Sequence, residues 1–133
     1  MEKTRQIILR VHGTLLIVMG IAISIYSTLG MYYGIGNFSF LHDTRLGHVG
    51  LLQAYELAAL TGIVLWMGSY QEDRRKWNRI GALFHFFILV VYVIHWNFLA
   101  TMPNGEVTRN IGGTFHLVFM CLESWAGFFS KKG

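Results

Sequence analysis

The chain of 133 residues is 53% hydrophobic and only 14% charged, about half the charged share of an ordinary soluble domain. A soluble four-helix bundle would need a charged face on every helix, and the long apolar runs of this chain carry none. The formal net charge of +4 comes from bases that flank these runs, so it requires no nucleic-acid partner. Soluble enzyme classes are poorly supported, since the chain has no phosphate loop or nucleophile elbow.

The apolar residues fall into four runs, each close to the roughly 20 residues that a membrane-spanning helix needs. The runs cover residues 7–30, 46–70, 80–101 and 111–129. Short connections between them force neighbouring helices to be antiparallel. We therefore predict an all-α fold for a polytopic membrane protein. Residues 1–133 are expected to form a single domain, an antiparallel bundle of four transmembrane helices.

The first run follows a short basic segment, Met1–Gln6. It is longer than the apolar core of a signal peptide and lacks a small-residue cleavage site, so we expect it to be retained as a helix. Its small residues, among them Gly13 and Gly20, have spacings suited to close helix contact. The segment that ends this run, 30–38, is rich in glycine and aromatic residues, which is typical of the outer membrane interface.

Basic residues are distributed unequally between the two sides of the predicted bundle. Only Arg45 and Arg109 lie on one side. The other nine bases lie on the opposite side: Lys3, Arg5, Arg10, Arg74, Arg75, Lys76, Arg79, Lys131 and Lys132. The positive-inside rule therefore predicts that both termini and the loop 71–79 are cytoplasmic. We expect an integral protein of a bacterial or archaeal plasma membrane.

Two glutamates, Glu56 and Glu123, lie deep inside the apolar runs. An ionisable side chain at bilayer depth is costly, so it normally faces the interior of a bundle and indicates a functional site. Each glutamate follows a histidine near the start of its run. His48 is eight residues before Glu56, and His116 is seven residues before Glu123.

A rotation of about 100° per residue brings polar and small residues onto one face of each run. The face of run four is Gly112, His116, Met120, Glu123 and Gly127; that of run three is Asn78, Gly81, His85, Tyr92 and Trp96. The face of run two is His48, Tyr55, Glu56 and Ala59, and that of run one includes His12. Because lipid would not tolerate such faces, we expect all of them to point inward.

Depth divides these side chains into layers, at a rise of about 1.5 Å per residue. We place His12 and His85 near the cytoplasmic side and both glutamates near the middle of the bilayer. The remaining histidines of the runs, His48, His95 and His116, are placed towards the outer side.

Three kinds of ligand suit such layers. A transition metal ion would be bound by His48, His95 and His116, with or without a carboxylate. Haem b would need two histidines from different helices at similar depth, His12 with His85 or His48 with His116, and a chlorophyll-type pigment would need one. A quinone would hydrogen-bond to a histidine, Glu56 or Glu123 and pack against Tyr55, Tyr92 or Trp96. Hydrogen bonds between helices are an equally good explanation for any one of these residues.

The second run, from Tyr55-Glu56 to Gly68, resembles the DoxX-like family of small four-helix membrane proteins. The matching elements are the early glutamate, the pattern Gly62-x-x-Leu65-x-x-Gly68 and the basic turn that leads into a third apolar helix. The segment Arg10-Val-His-Gly13 is also similar to the opening of that family. The resemblance implies a membrane component associated with quinone-linked or redox-stress oxidoreductases, and it implies no catalytic residue.

We therefore predict a small integral membrane subunit of a redox or electron-transfer assembly, with a quinone, haem, pigment or metal bound by its inward histidines and glutamates. One alternative is a non-catalytic accessory subunit of a larger membrane complex. Another is a small proton-coupled transporter that uses Glu56 and Glu123. The expected partners are the lipid bilayer and either other membrane subunits or further copies of the chain.

Overall fold

The computed structural model describes residues 1–130, which are helical with short connections and contain no strand. The all-α prediction is confirmed over this range. The α-helices are α1 Glu2–Tyr33, α2 Arg45–Gly68, α3 Arg74–Ile94, α4 Trp96–Ala100 and α5 Gly105–Ser124. A 3₁₀ helix, Gly36–Asp43, connects α1 to α2, and a π-helical turn, Trp125–Phe129, continues α5. Lys131 and Lys132, two of the bases used to predict the topology, lie outside the described residues.

Three of the described helices, α1, α2 and α3, are long and apolar enough to cross a membrane. The first three predicted runs therefore correspond to candidate membrane spans. The fourth run, 111–129, falls on α5 and the π-helical turn. Helix α5 has 20 residues but is not among the three candidates.

The predicted ends of the third and fourth runs are wrong. Helix α3 begins at Arg74, where Asp73 caps it by accepting a hydrogen bond from the backbone N–H of Lys76. It ends at Ile94, because the backbone at His95 leaves helical geometry (φ −104°, ψ 18°). Helix α5 begins already at Gly105. The preceding residue, Asn104, adopts the left-handed conformation that a Pro-Asn-Gly turn requires (φ 54°).

The described chain divides into two compact units. The α1–α2 unit contains Val11–Trp66. The α3–α5 unit contains Met1–Arg10 and the described residues from Met67 onwards.

Glycines bring the backbones of α1 and α2 into direct contact within the α1–α2 unit. A Cβ atom added to Gly13 would lie 2.7 Å from the carbonyl oxygen of Gly62, and one added to Gly62 would lie 2.6 Å from that of Gly13. A Cβ atom added to Gly20 would lie 2.6 Å from the carbonyl oxygen of Tyr55 and 2.9 Å from the Cβ atom of Ala59. Close approach at small residues is the usual way that membrane helices associate, as the spacing of Gly13 and Gly20 predicts.

We expect Gly13→Ala to destabilise the protein by about 1–3 kcal/mol, because the added methyl group meets backbone that cannot rotate away. Unfolding by heat or by a denaturing detergent would measure the loss. The matched control is Gly50→Ala on α2, where an added Cβ has no neighbour within 4 Å. The control should be neutral or slightly stabilising, since alanine favours a helix. Equal stabilities for the two variants would contradict the packing described above.

Aromatic contacts fold the 3₁₀ segment onto the end of α1. The rings of Tyr26 and Phe38 meet edge to face at 5.4 Å, and the Tyr26 hydroxyl accepts a hydrogen bond from the backbone N–H of Asn37 (3.2 Å). Leu41 is buried. The apolar residues of this loop thus pack within the α1–α2 unit.

Three arginines hold the π-helical turn that continues α5 in the α3–α5 unit. The Nε atom of Arg5 donates to the carbonyl of Ala126 (3.0 Å), and those of Arg75 and Arg79 donate to the carbonyl of Gly127 (2.9 and 2.7 Å). The last carbonyls of a helix lack intrahelical partners and carry a partial negative charge, which basic side chains satisfy. These bases therefore have a structural role.

The end of α2 is held in the same way. Gln6 and Arg74 both donate to the carbonyl of Ser69 (3.2 and 2.8 Å), and Arg10 donates to its hydroxyl (3.2 Å). Basic residues around the loop 71–79 thus donate hydrogen bonds to polar groups at two helix ends of the α3–α5 unit.

Candidate ligand site between α3 and α5

Helices α3 and α5 pack antiparallel through the two polar faces that the sequence predicts. Tyr92 contacts Gly112 near one end of the pair, and Arg79 contacts Gly127 near the other. Asn78, Gly81 and His85 of α3 are buried, as is Glu123 of α5. The inward orientation is confirmed for these four residues, whereas Trp96, which was predicted on the same face of run three, is exposed.

His85 and His116 form the centre of this interface. Their Nδ1 atoms are 2.7 Å apart, and their ring centroids are 4.9 Å apart. One imidazole must carry a proton on Nδ1 and donate it, while the other accepts. His85 is fully buried, and its ring stacks on Phe119 (5.7 Å, 26°). The pair therefore lies among aromatic side chains, which also include Phe115 and Tyr92.

Glu123 lies next to His85 and is also fully buried. Its carboxylate occupies the space beside Gly81, where any Cβ would collide with it. A carboxylate oxygen of Glu123 and a ring nitrogen of His85 lie within 4.8 Å of each other. Because Gly81 precedes His85 by one helical turn, one face of α3 both seats the carboxylate and presents the imidazole.

Tyr92 extends the polar contacts along the interface. Its ring meets that of His116 edge to face at 5.6 Å, and its hydroxyl lies against Gly112. The interface thus contains Glu123, His85, His116 and Tyr92 in sequence, which we call the polar row. Imidazole nitrogens are ligands that suit zinc, copper or iron, and the Glu123 carboxylate lies beside one of the two imidazoles.

The predicted depths of His85 and His116 are wrong, since the structure pairs two histidines that were assigned to different layers. The error comes from the helix ends. With α3 ending at Ile94 and α5 beginning at Gly105, the two histidines are nine and eleven residues from the same end of the pair. The predicted boundaries, 101 and 111, had placed them sixteen and five residues away.

The prediction that Glu56 faces inward is also wrong, because its side chain is exposed. The face of α2 that packs on α1 contains Tyr55, Ala59 and Gly62. At about 100° per residue, Glu56 lies roughly a quarter of a turn away from that face. Tyr55 itself is half-buried, and its carbonyl oxygen lies against Gly20.

The predicted site residues also include three further histidines. His12 belongs to the α1–α2 unit and is fully buried. His48 is buried in the same unit, with Nε2 3.4 Å from the hydroxyl of Thr28. His95 is exposed at the break after α3, where its ring contacts Phe98. Of the three predicted metal ligands, His116 is the one that the structure places in the polar row.

Two contributors to the site were not singled out from the sequence. Gly81 was recognised only as a member of a face, although it provides the space for the Glu123 carboxylate. Phe119 stacks on His85. The available signal was the alignment of Gly81 with His85, one turn apart, opposite a helix that carries a glutamate.

No protein-family model matches the chain, and no curated protein or solved structure is significantly similar to it.

Proposed function

We propose that the protein is a small integral membrane subunit of a redox or electron-transfer assembly, and that His85, His116 and Glu123 bind a transition-metal ion in it. The observation that carries this proposal is the 2.7 Å contact between the Nδ1 atoms of His85 and His116. Two nitrogens on one metal ion lie roughly 3–3.4 Å apart, given metal–nitrogen bonds of about 2.0–2.1 Å. A small opening of the pair would therefore admit an ion, and the nearby carboxylate would supply an oxygen ligand.

Haem does not suit this pair, because two axial histidines stand on opposite faces of a flat macrocycle. Here the two rings touch, with centroids 4.9 Å apart. Iron, copper and zinc all bind imidazole. Iron and copper also undergo redox reactions, whereas zinc does not. The resemblance of the second run to the DoxX-like family adds support for a redox role.

The proposed arrangement in the membrane is a four-helix bundle with both termini in the cytoplasm. The unequal distribution of bases supports this orientation. Arg5, Arg75 and Arg79 all lie at the end of α5 where the chain leaves the helix. Helix α5 would then cross beside α3, with its polar face against the polar face of α3 rather than lipid.

Metal analysis of the detergent-purified chain after incubation with Fe(II), Cu(II) or Zn(II) tests the site. We expect about one ion per chain, and a loss of affinity on the order of 10- to 100-fold or more in His116→Ala and His85→Ala. Iron or copper should also give a ligand-field absorption that changes in these variants.

The matched control is His95→Ala, since His95 is an exposed histidine of the same unit. It should retain the metal in full. A wild-type chain that binds none of the three ions would overturn the proposal, and so would equal losses in His95→Ala and His116→Ala.

A further inference from the structure

Helix α2 exposes two polar side chains in the middle of an apolar span. Gln53 and Glu56 are both exposed, and Glu56 forms no hydrogen bond or ion pair with any described residue. Lipid offers no hydrogen bond to either side chain, and an unpaired carboxyl group in a bilayer is strongly disfavoured. Because α1 packs on another face of α2, this surface is available to a second helix.

Five exposed residues on the side of α2 that contains Glu56 follow a regular pattern, which defines the α2 seam. Successive members are four, three, four and three residues apart, and all are exposed: Val49, Gln53, Glu56, Leu60 and Ile63. Alternating steps of three and four residues form the contact line of paired helices, the a and d positions of a heptad. The seam extends over 15 residues, from Val49 to Ile63, or roughly 21 Å at the rise of an α-helix.

The seam is separate from the packing within the α1–α2 unit. Gly62 and Ala59 contact α1 through their backbone and methyl groups. At about 100° per residue, these residues and the centre of the seam lie roughly a quarter of a turn or more apart. Helix α2 therefore has one face for α1 and another for a second helix.

The polar side chains of the seam can form hydrogen bonds with the same side chains of a second copy. The amide of Gln53 both donates and accepts hydrogen bonds, and the carboxyl group of Glu56 accepts them. With the strong asymmetry of bases, two copies in one membrane have the same orientation. In a parallel pair, identical residues meet at the same depth, so Gln53 and Glu56 of one copy face Gln53 and Glu56 of the other. A polar residue at such a position fixes the register of the pair.

We infer that two copies of the chain associate in the membrane through the α2 seam, as a parallel pair of α2 helices joined by hydrogen bonds between Gln53 and Glu56. The seam uses no residue of the candidate metal site. Failure of this inference would therefore leave the proposed function unchanged, and metal binding is measured separately.

Disulfide cross-linking of the full chain in lipid vesicles tests the seam. Leu60→Cys places a thiol on the seam, and Ala54→Cys places one at an exposed position far around the helix. Both are made with Cys121→Ser, since Cys121 is exposed. We expect efficient oxidation to a covalent dimer for Leu60→Cys only. Equal cross-linking at both positions, or a purely monomeric chain, would overturn the inference.

Variants at Glu56 in the Leu60→Cys background test the hydrogen bonds. Glu56→Ala should weaken dimerisation on the order of 3- to 10-fold, the scale of an interhelical hydrogen bond in a membrane. Glu56→Gln keeps a side chain that can hydrogen-bond and should retain most of the dimer. If Glu56→Ala cross-links as well as the parent, the carboxyl group does not join the copies and the inference is wrong. Both residues are exposed, so these changes leave the packing of the chain intact.

Discussion

Arg5→Ala is expected to destabilise the α3–α5 unit by about 3 kcal/mol or more. The Arg5 side chain is only 1% exposed, and its guanidinium donates to the carbonyl of Ala126 (3.0 Å) and to the hydroxyl of Ser130 (2.6 Å). Hydrogen bonds from a charged group contribute about 1.5–3 kcal/mol each. The substitution would leave the Ala126 carbonyl without its charged donor and create a cavity between the N-terminal turn of α1 and the π-helical turn.

The unfolding midpoint in detergent, followed by the loss of helical circular dichroism, would measure this effect. Lys3→Ala is the matched control, because Lys3 is an exposed base two residues away on the same helix. It should change the stability by less than about 0.5 kcal/mol. Arg5→Lys should be intermediate, since it keeps the charge but lacks the planar fork of donors. Equal stabilities for Arg5→Ala and Lys3→Ala would contradict this role.

The role of Arg5 could not be predicted from the sequence. Basic residues beside apolar runs indicate the cytoplasmic side of a membrane protein, and this pattern says nothing about their hydrogen bonds. The structure adds that Arg5, Arg75 and Arg79 donate to backbone carbonyls at the end of α5. The same bases that predict orientation therefore stabilise the helix ends.

The helix faces were predictable because they depend on a fixed rotation per residue. Gly81 and His85 share a face of α3, and His116 and Glu123 share a face of α5, as the periodicity requires. Hydrophobicity gave the approximate locations of the runs. It did not give their ends, because α5 begins with polar residues and the third apolar run continues past the break at His95.

Periodicity could not predict which residues of two neighbouring helices lie opposite each other. A shift of six or seven residues at the ends of α3 and α5 was enough to separate His85 from His116 in the prediction. The orientation of Glu56 failed for another reason. A titratable residue in an apolar run was assumed to face its own bundle, and this assumption ignores partners outside the chain. Both errors concern contacts between elements, whereas the presence of helices at α1, α2, α3 and α5 was predicted correctly.

Gly81→Ala is expected to have the second large effect, since it removes the space that holds the Glu123 carboxylate. A Cβ at this position collides with both carboxylate oxygens, so either the carboxylate moves away from His85 or α3 and α5 separate. We expect a destabilisation of about 1–3 kcal/mol and a loss of metal affinity comparable to that of His116→Ala. The control is Gly113→Ala in the same interface, where the nearest atoms to an added Cβ are 3.6 Å away, an ordinary contact.

A double variant separates the two consequences of this collision. Glu123→Ala alone should reduce metal affinity, and in the Gly81→Ala background it also removes the atoms that collide. The double variant Gly81→Ala/Glu123→Ala should therefore be destabilised by less than the sum of the two single destabilisations. Its metal affinity should stay low. Such coupling is expected only for residues in direct contact. Additive changes in stability would mean that Gly81 and Glu123 do not touch, and the carboxylate would then have no fixed position beside His85.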